Sequence, residues 1–141
     1  MAIPNGAGGY QLGDGNLSEP VLGYVDTPLT QAGTATLTAA QVTAGILIVG
    51  SGATTAQTYT LPSATAANGV DSIVSSANVG STFDLSIINL GTSSGTAALA
   101  MGSGTGFSDG GNATTTVAIT SSALYRFRKT GEGTFLVYKV A

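Results

Sequence analysis

The stretch TFDLSIINL, Thr82 to Leu90, sets Phe83, Leu85, Ile87 and Asn89 on one side of an extended chain and Asp84, Ser86 and Ile88 on the other. Successive side chains of a strand point to opposite faces, so this alternation predicts a β-strand with one buried face and a mostly polar far face. The same texture, β-branched residues punctuated by glycine, continues outward in both directions. It covers Thr34 to Thr38, Ile46 to Val49, Thr58 to Leu61, Ala97 to Met101, Thr114 to Thr120, Leu124 to Lys129 and Thr134 to Val140. Short strands at even spacing with turn-rich connections predict an all-β fold, a small antiparallel β-sandwich or barrel-like domain over residues 34–141.

The last two strands are expected to form a hairpin through Gly131, Glu132 and Gly133, whose glycines tolerate the positive φ that a tight reversal needs. One or two short helices interrupt the strands. Thr38 caps Ala39, Ala40, Gln41 and Val42, with Gly45 as the stop. Ser63 opens an alanine-rich stretch toward Val74, weakened by Asn68 and Gly69. Aromatic residues make up only 6% of the chain and tryptophan is missing, so the core is expected to be thin and built from Ile, Leu, Val and Ala. Such a core gains most by burying further apolar area between subunits, at roughly 25 cal/mol per Å². That points to a homo-oligomer.

Residues 1–33 read differently. Gly6, Gly8, Gly9, Gly13, Gly15 and Gly23, with Pro4, Pro20 and Pro28, leave neither helical nor strand periodicity. An extended N-terminal arm is expected there. Apolar residues are nevertheless spaced along it, and anchors on a tether suit ordering against a partner's surface. Tyr10, Leu12, Leu17 and Tyr24 are the candidate contacts. A strap across the chain's own domain is the reading left open beside it.

Charge narrows the function classes. Charged residues are 8% of the chain, against roughly 25% in an average soluble domain. Contacts made by a neutral, hydroxyl-rich surface depend little on salt, which suits a permanent assembly. The four basic residues, Arg126, Arg128, Lys129 and Lys139, all lie near the C-terminal end, and the net charge is -3. No basic footprint for a nucleic acid results. The longest aliphatic run, Ile46 to Val49, is far short of the roughly 20 residues that cross a bilayer. Met1 to Gly9 has no basic region followed by a long apolar stretch, so neither a membrane span nor a signal peptide is expected, and synthesis in a cytoplasm is.

Catalytic patterns are present but incomplete. Gly91, Ser93 and Gly95, and again Gly106, Ser108 and Gly110, match a nucleophile-elbow spacing. A serine nucleophile needs a base, and the chain has no histidine and no lysine close in sequence to either motif, so both are expected to be turns. Asp14, Asn16 and Ser18 imitate the first ligands of a calcium loop, but Glu19 stands where that loop needs glycine and Val25 where it needs a bidentate acid. The remaining acids are dispersed, and Gly102 to Gly106 lacks the lysine of a phosphate loop. No enzymatic activity, cofactor or metal is expected.

One constellation points to an interface. Alternation along Leu124 to Lys129 puts Arg126 and Arg128 on the same face as Leu124, with Tyr125 and Phe127 opposite. Two parallel guanidinium groups on an acidic molecule can pair with carboxylates of a neighbouring subunit or partner, where bidentate geometry fixes register. A solvated face, or charges that guard a sheet edge, is the competing reading.

The run LTAAQVTAGILIV at Leu37 to Val49, YTLPSATA at Tyr59 to Ala66, VGSTFDLSIINLG at Val79 to Gly91 and YRFRKTGEGTFLVYKV at Tyr125 to Val140 resembles a β-rich domain of tailed-phage head decoration and fibre proteins. PNGAGGYQLGDGNLSE, Pro4 to Glu19, resembles the N-terminal arm of phage capsid-associated proteins, including those of cyanophages. The resemblance implies a capsid cement protein: a homotrimer on the outer surface of the virion head, its arms reaching across subunits of the major capsid protein. It carries no catalytic residues. A receptor-binding or structural module of a tail fibre or spike is the alternative it leaves.

Overall fold

The computed structural model describes residues 25–141, so Tyr10, Leu12, Leu17 and Tyr24 lie outside the described residues. Within that span the chain runs β1 (Leu29–Gln31), β2 (Ala35–Thr36), α1 (Ala39–Val42), β3 (Ile46–Val49), β4 (Gln57–Thr60), α2 (Val70–Ile73), β5 (Thr82–Asn89), β6 (Ala97–Ala100), β7 (Phe107–Gly111), β8 (Ser121–Gly131) and β9 (Thr134–Lys139). The described residues are mostly β with two short helices. Through β6 the chain alternates between two sheets. β1, β3 and β5 stack in parallel in one, and β2, β4 and β6 in the other. Register aligns like with like: Leu29, Leu47 and Ile87 form one ladder, and Ala35, Tyr59 and Leu99 another. The chain then closes the larger sheet as β1-β3-β5-β8-β9-β7.

The all-antiparallel expectation is therefore corrected: five of the seven strand pairings are parallel, and only β5 with β8 and β8 with β9 run antiparallel. Short connections suggested hairpins because a parallel neighbour in the same sheet needs a long crossover. Here a short connection carries the chain to the other sheet instead of reversing it. The crossover from β3 to β5 contains β4 and α2. Period-two alternation is the same for either direction, so it could not distinguish them.

Other boundaries also move. β1 lies inside the segment expected to be arm, and its pairing with β3 brings the end of that segment into the sheet. Thr114 to Thr120 forms no strand; it contributes a single bridge, Val117 to Ala97. The Asp109 carboxylate explains why, because it accepts the N–H groups of Gly111 (2.8 Å) and Ala113 (3.0 Å) and the Thr114 hydroxyl (3.2 Å), folding the chain into a turn. Of the Gly106, Ser108, Gly110 motif, expected to be a turn, Ser108 and Gly110 lie in strand β7 and Gly106 in the bend before it. Its glycine at 110 is dictated by packing, since a Cβ there would lie 2.6 Å from the Tyr138 ring. α1 forms as expected, with a reciprocal Thr38–Gln41 capping box. The second helix keeps only Val70–Ile73.

Both sheets feed one buried cluster. Leu47, Val49, Leu85, Ile87, Tyr125, Phe127 and Val137 come from the larger sheet, and Tyr59 and Leu99 from the smaller. The core is not purely aliphatic. All four phenylalanines gather in it: Phe83 stacks on Phe127 at 4.8 Å, and Phe107 and Phe135 lie 5.7 Å apart. At the far end of β5 from Phe83, Asn89 is buried as a polar clamp. Its amide donates to the carbonyls of Gly95 (3.0 Å) and Ala118 (3.0 Å) and accepts from the Gly91 N–H (2.9 Å). At the β1 edge, the Gln41 side chain donates to the Thr30 carbonyl (3.1 Å), occupying a group that would otherwise invite another strand.

Candidate functional site

The outward face of the larger sheet is built by the residues that alternate with the core. Ile46 and Ile48 on β3, Ile88 on β5, Leu124 on β8, and Leu136 and Tyr138 on β9 are all partly exposed. None belongs to the buried cluster or packs against it. Register makes them neighbours: Ile48 beside Ile88, Ser86 beside Leu124, Arg126 beside Tyr138 and Arg128 beside Leu136. The solvated face of a sheet is ordinarily the polar one. This one is a semi-apolar platform across four strands.

Arg126 and Arg128 both point outward from β8, flanking the buried Phe127, as the alternation predicted. They are not equivalent. Register sets Asp84 opposite Arg126, and the pair is bidentate: Nε to Oδ1 at 2.8 Å and a terminal guanidinium nitrogen to Oδ2 at 2.9 Å. The hydrogen bonds from Arg126 hold the Asp84 carboxyl below the usual carboxylate range, against a smaller opposing effect of burial. Lys129 is buried against Asp71 (2.6 Å), and Lys139 bonds the Thr116 carbonyl (3.0 Å). Arg128 is the one base with no ion-pair or hydrogen-bond partner among the described residues.

The acids are mostly engaged too. Asp71 takes Lys129 on one oxygen and the Gly133 N–H (2.8 Å) on the other. The Lys129 hydrogen bond outweighs burial and keeps its carboxyl low. A cleft of about 380 Å³ opens over this pair, with Glu132, Ser75 and Asn78 on its walls. The Asp109 carboxyl is held low chiefly by the Ala113 N–H. Each of these carboxylates braces a turn or a strand, and an ionised, fully bonded carboxylate is a poor proton carrier at neutral pH.

The sequence reading identified Arg126 and Arg128 but missed Asp84 and Asp71, which meet their partners across 42 and 58 positions of chain. The signal for Asp84 was present in its place on the polar side of β5, but it becomes a contact only once β5 is paired with β8. Comparison with models of known protein families, with curated proteins and with solved structures finds no match to this chain.

Proposed function

We propose that this protein is a structural virion component, a capsid cement or decoration protein that binds the outer surface of a phage head and ties neighbouring major capsid proteins together. The observation that carries the reading is the outward sheet face, which sets partly exposed Ile48, Ile88, Leu124, Leu136 and Tyr138 beside Arg128, a base with no partner among the described residues, on a firmly braced sheet suited to staying packed in an assembly. An apolar platform rimmed by charge is the anatomy of a docking surface. The engagement of Asp71, Asp84 and Asp109 in bracing roles supports a non-enzymatic reading. The resemblance carried by the N-terminal leader and by the strand motifs supports the capsid as partner, with Tyr10, Leu12, Leu17 and Tyr24 as lattice contacts. In fold terms the reading is a two-sheet sandwich of mixed strand direction.

In this reading each subunit links more than one coat protein. Opening one contact then frees neither partner, and binding only the mature lattice stabilises it by mass action. Several arms on one trimer raise the effective concentration at each site. The test is co-sedimentation of the purified protein with expanded heads that lack decoration. Saturable binding at a fixed ratio to coat protein is expected, weakened when Tyr10, Leu12, Leu17 and Tyr24 are replaced by serine. Protein that stays in the supernatant at every head concentration would overturn the reading.

A further inference from the structure

Two apolar surfaces are left open among the described residues, and the charges on them are opposite. One is the outward sheet face with Arg128. The other is a groove of about 480 Å³ between the start of β1 and the two helices, lined by Val25, Asp26, Leu29, Ala40, Gly45 and Ile73. Its walls are unusually exposed for large apolar groups: Val25 is 55% and Ile73 51% accessible. Asp26 stands on this lining, and the only group bonded to its carboxylate among the described residues is the adjacent Thr27 N–H (2.7 Å).

We propose that these surfaces meet between copies of this chain, head to tail, the sheet face of one copy against the groove of the next, with Arg128 facing Asp26 across the joint. Charge decides the pairing. Two sheet faces packed on each other would cover two Arg128 guanidinium groups with no free acid between them, because Asp84 is already committed to Arg126. Two grooves would likewise bring Asp26 of one copy toward Asp26 of the other with no base on either lining. Like charges in an interface disfavour association, whereas the mixed contact pairs them. A contact between unlike patches does not stop at a two-fold dimer: it forms a ring where its rotation closes and a filament where it does not. The contact itself follows from the two surfaces; closure into a ring of three rests on the cement reading above.

The test is the oligomeric state of the full chain, by native mass spectrometry and light scattering, in wild type and charge-reversal variants. Both positions are exposed, so the folds of Arg128→Glu and Asp26→Arg are expected to survive, checked by circular dichroism; Arg128→Gln and Asp26→Asn provide gentler versions. Wild type is expected to be a trimer. Each single reversal should weaken association by at least about tenfold, and combining Arg128→Glu with Asp26→Arg should recover most of it. A monomeric wild type, single reversals without effect, or a double variant no better than the singles would each overturn the pairing. Dissociation caused by Asp14→Asn with Glu19→Gln would overturn it as well, by making the leader the acidic partner. Head binding is read on the same samples: a monomer that binds heads defeats this inference and spares the cement reading, and a trimer that ignores heads does the reverse.

Discussion

Replacing Lys129 by methionine is expected to be among the most damaging single changes outside the aromatic core. The Lys129 ammonium lies 2.6 Å from Asp71 Oδ1, and the two side chains are 10% and 3% exposed. Methionine keeps the apolar stem but leaves the carboxylate buried with only the Gly133 N–H to bond it. Breaking a buried pair from one side costs about 3–5 kcal/mol, because the surviving charge has nothing to compensate it. Whole-domain stability is ~5–15 kcal/mol, so about a fifth or more is at stake. For a domain of this size the loss lowers Tm by roughly 10–20 °C. Urea unfolding followed by circular dichroism measures it. Asp71→Asn strands the ammonium and should lose a similar amount, whereas Lys129→Met with Asp71→Leu should lose clearly less than the two single changes added together. The pair also has a pH signature. Lys129 holds the Asp71 carboxyl low, and a carboxyl lowered by folding contributes stability that is complete above its unfolded value, about 3.9, and is lost as pH falls through the native value. Wild-type stability should therefore decline below about pH 4. The gap to Lys129→Met should narrow as pH falls, since the variant's buried carboxyl takes up a proton more readily. Single variants within about 1 kcal/mol of wild type at neutral pH, or strict additivity in the double, would refute the reasoning.

Three further outcomes are expected. The Tyr125 hydroxyl is buried with no hydrogen-bond partner among the described residues, so Tyr125→Phe should be neutral or stabilising by up to about 2 kcal/mol in urea titrations; a clear loss would reveal a hydrogen bond. Burial pushes the same phenol up to about 12, so wild type should lose stability as pH rises above about 10 and the Phe variant should lose less. Asn89→Ala removes the amide that clamps Gly95, Ala118 and Gly91, and should cost about 3 kcal/mol, with amide exchange accelerated first in the 91–95 and 117–118 loops. Substituting Tyr10, Leu12, Leu17 and Tyr24 together by serine should leave thermal unfolding of the domain unchanged and reduce head affinity at least about a hundredfold; unchanged affinity would remove these residues from the interface.

What could be read from sequence was what depends on neighbours in the chain. The alternation of Phe83, Leu85, Ile87 and Asn89 is the buried side of β5, and the Thr38 capping box and the Glu132–Gly133 reversal form where their local chemistry placed them. Strand direction was not legible. Ile46 to Val49 alternates identically whether its neighbour is parallel or antiparallel, and the answer lies in which sheet each connection reaches. Thr114 to Thr120 has strand-forming residues, yet Asp109 captures its start and a turn wins. The sparse aromatics suggested a thin aliphatic core because composition counts residues without placing them. Distance in sequence also concealed the partnership of Arg126 with Asp84, which leaves Arg128 as the base without a partner among the described residues.

The decisive measurement is electron-microscopic imaging of expanded, undecorated heads after mixing with the purified full-length protein. Ordered density on the outer shell, seated at threefold positions and contacting more than one coat subunit, is the predicted result. Bare heads, together with protein that adheres to bacterial envelopes, would contradict a capsid role and assign the chain to the receptor-binding end of a virion.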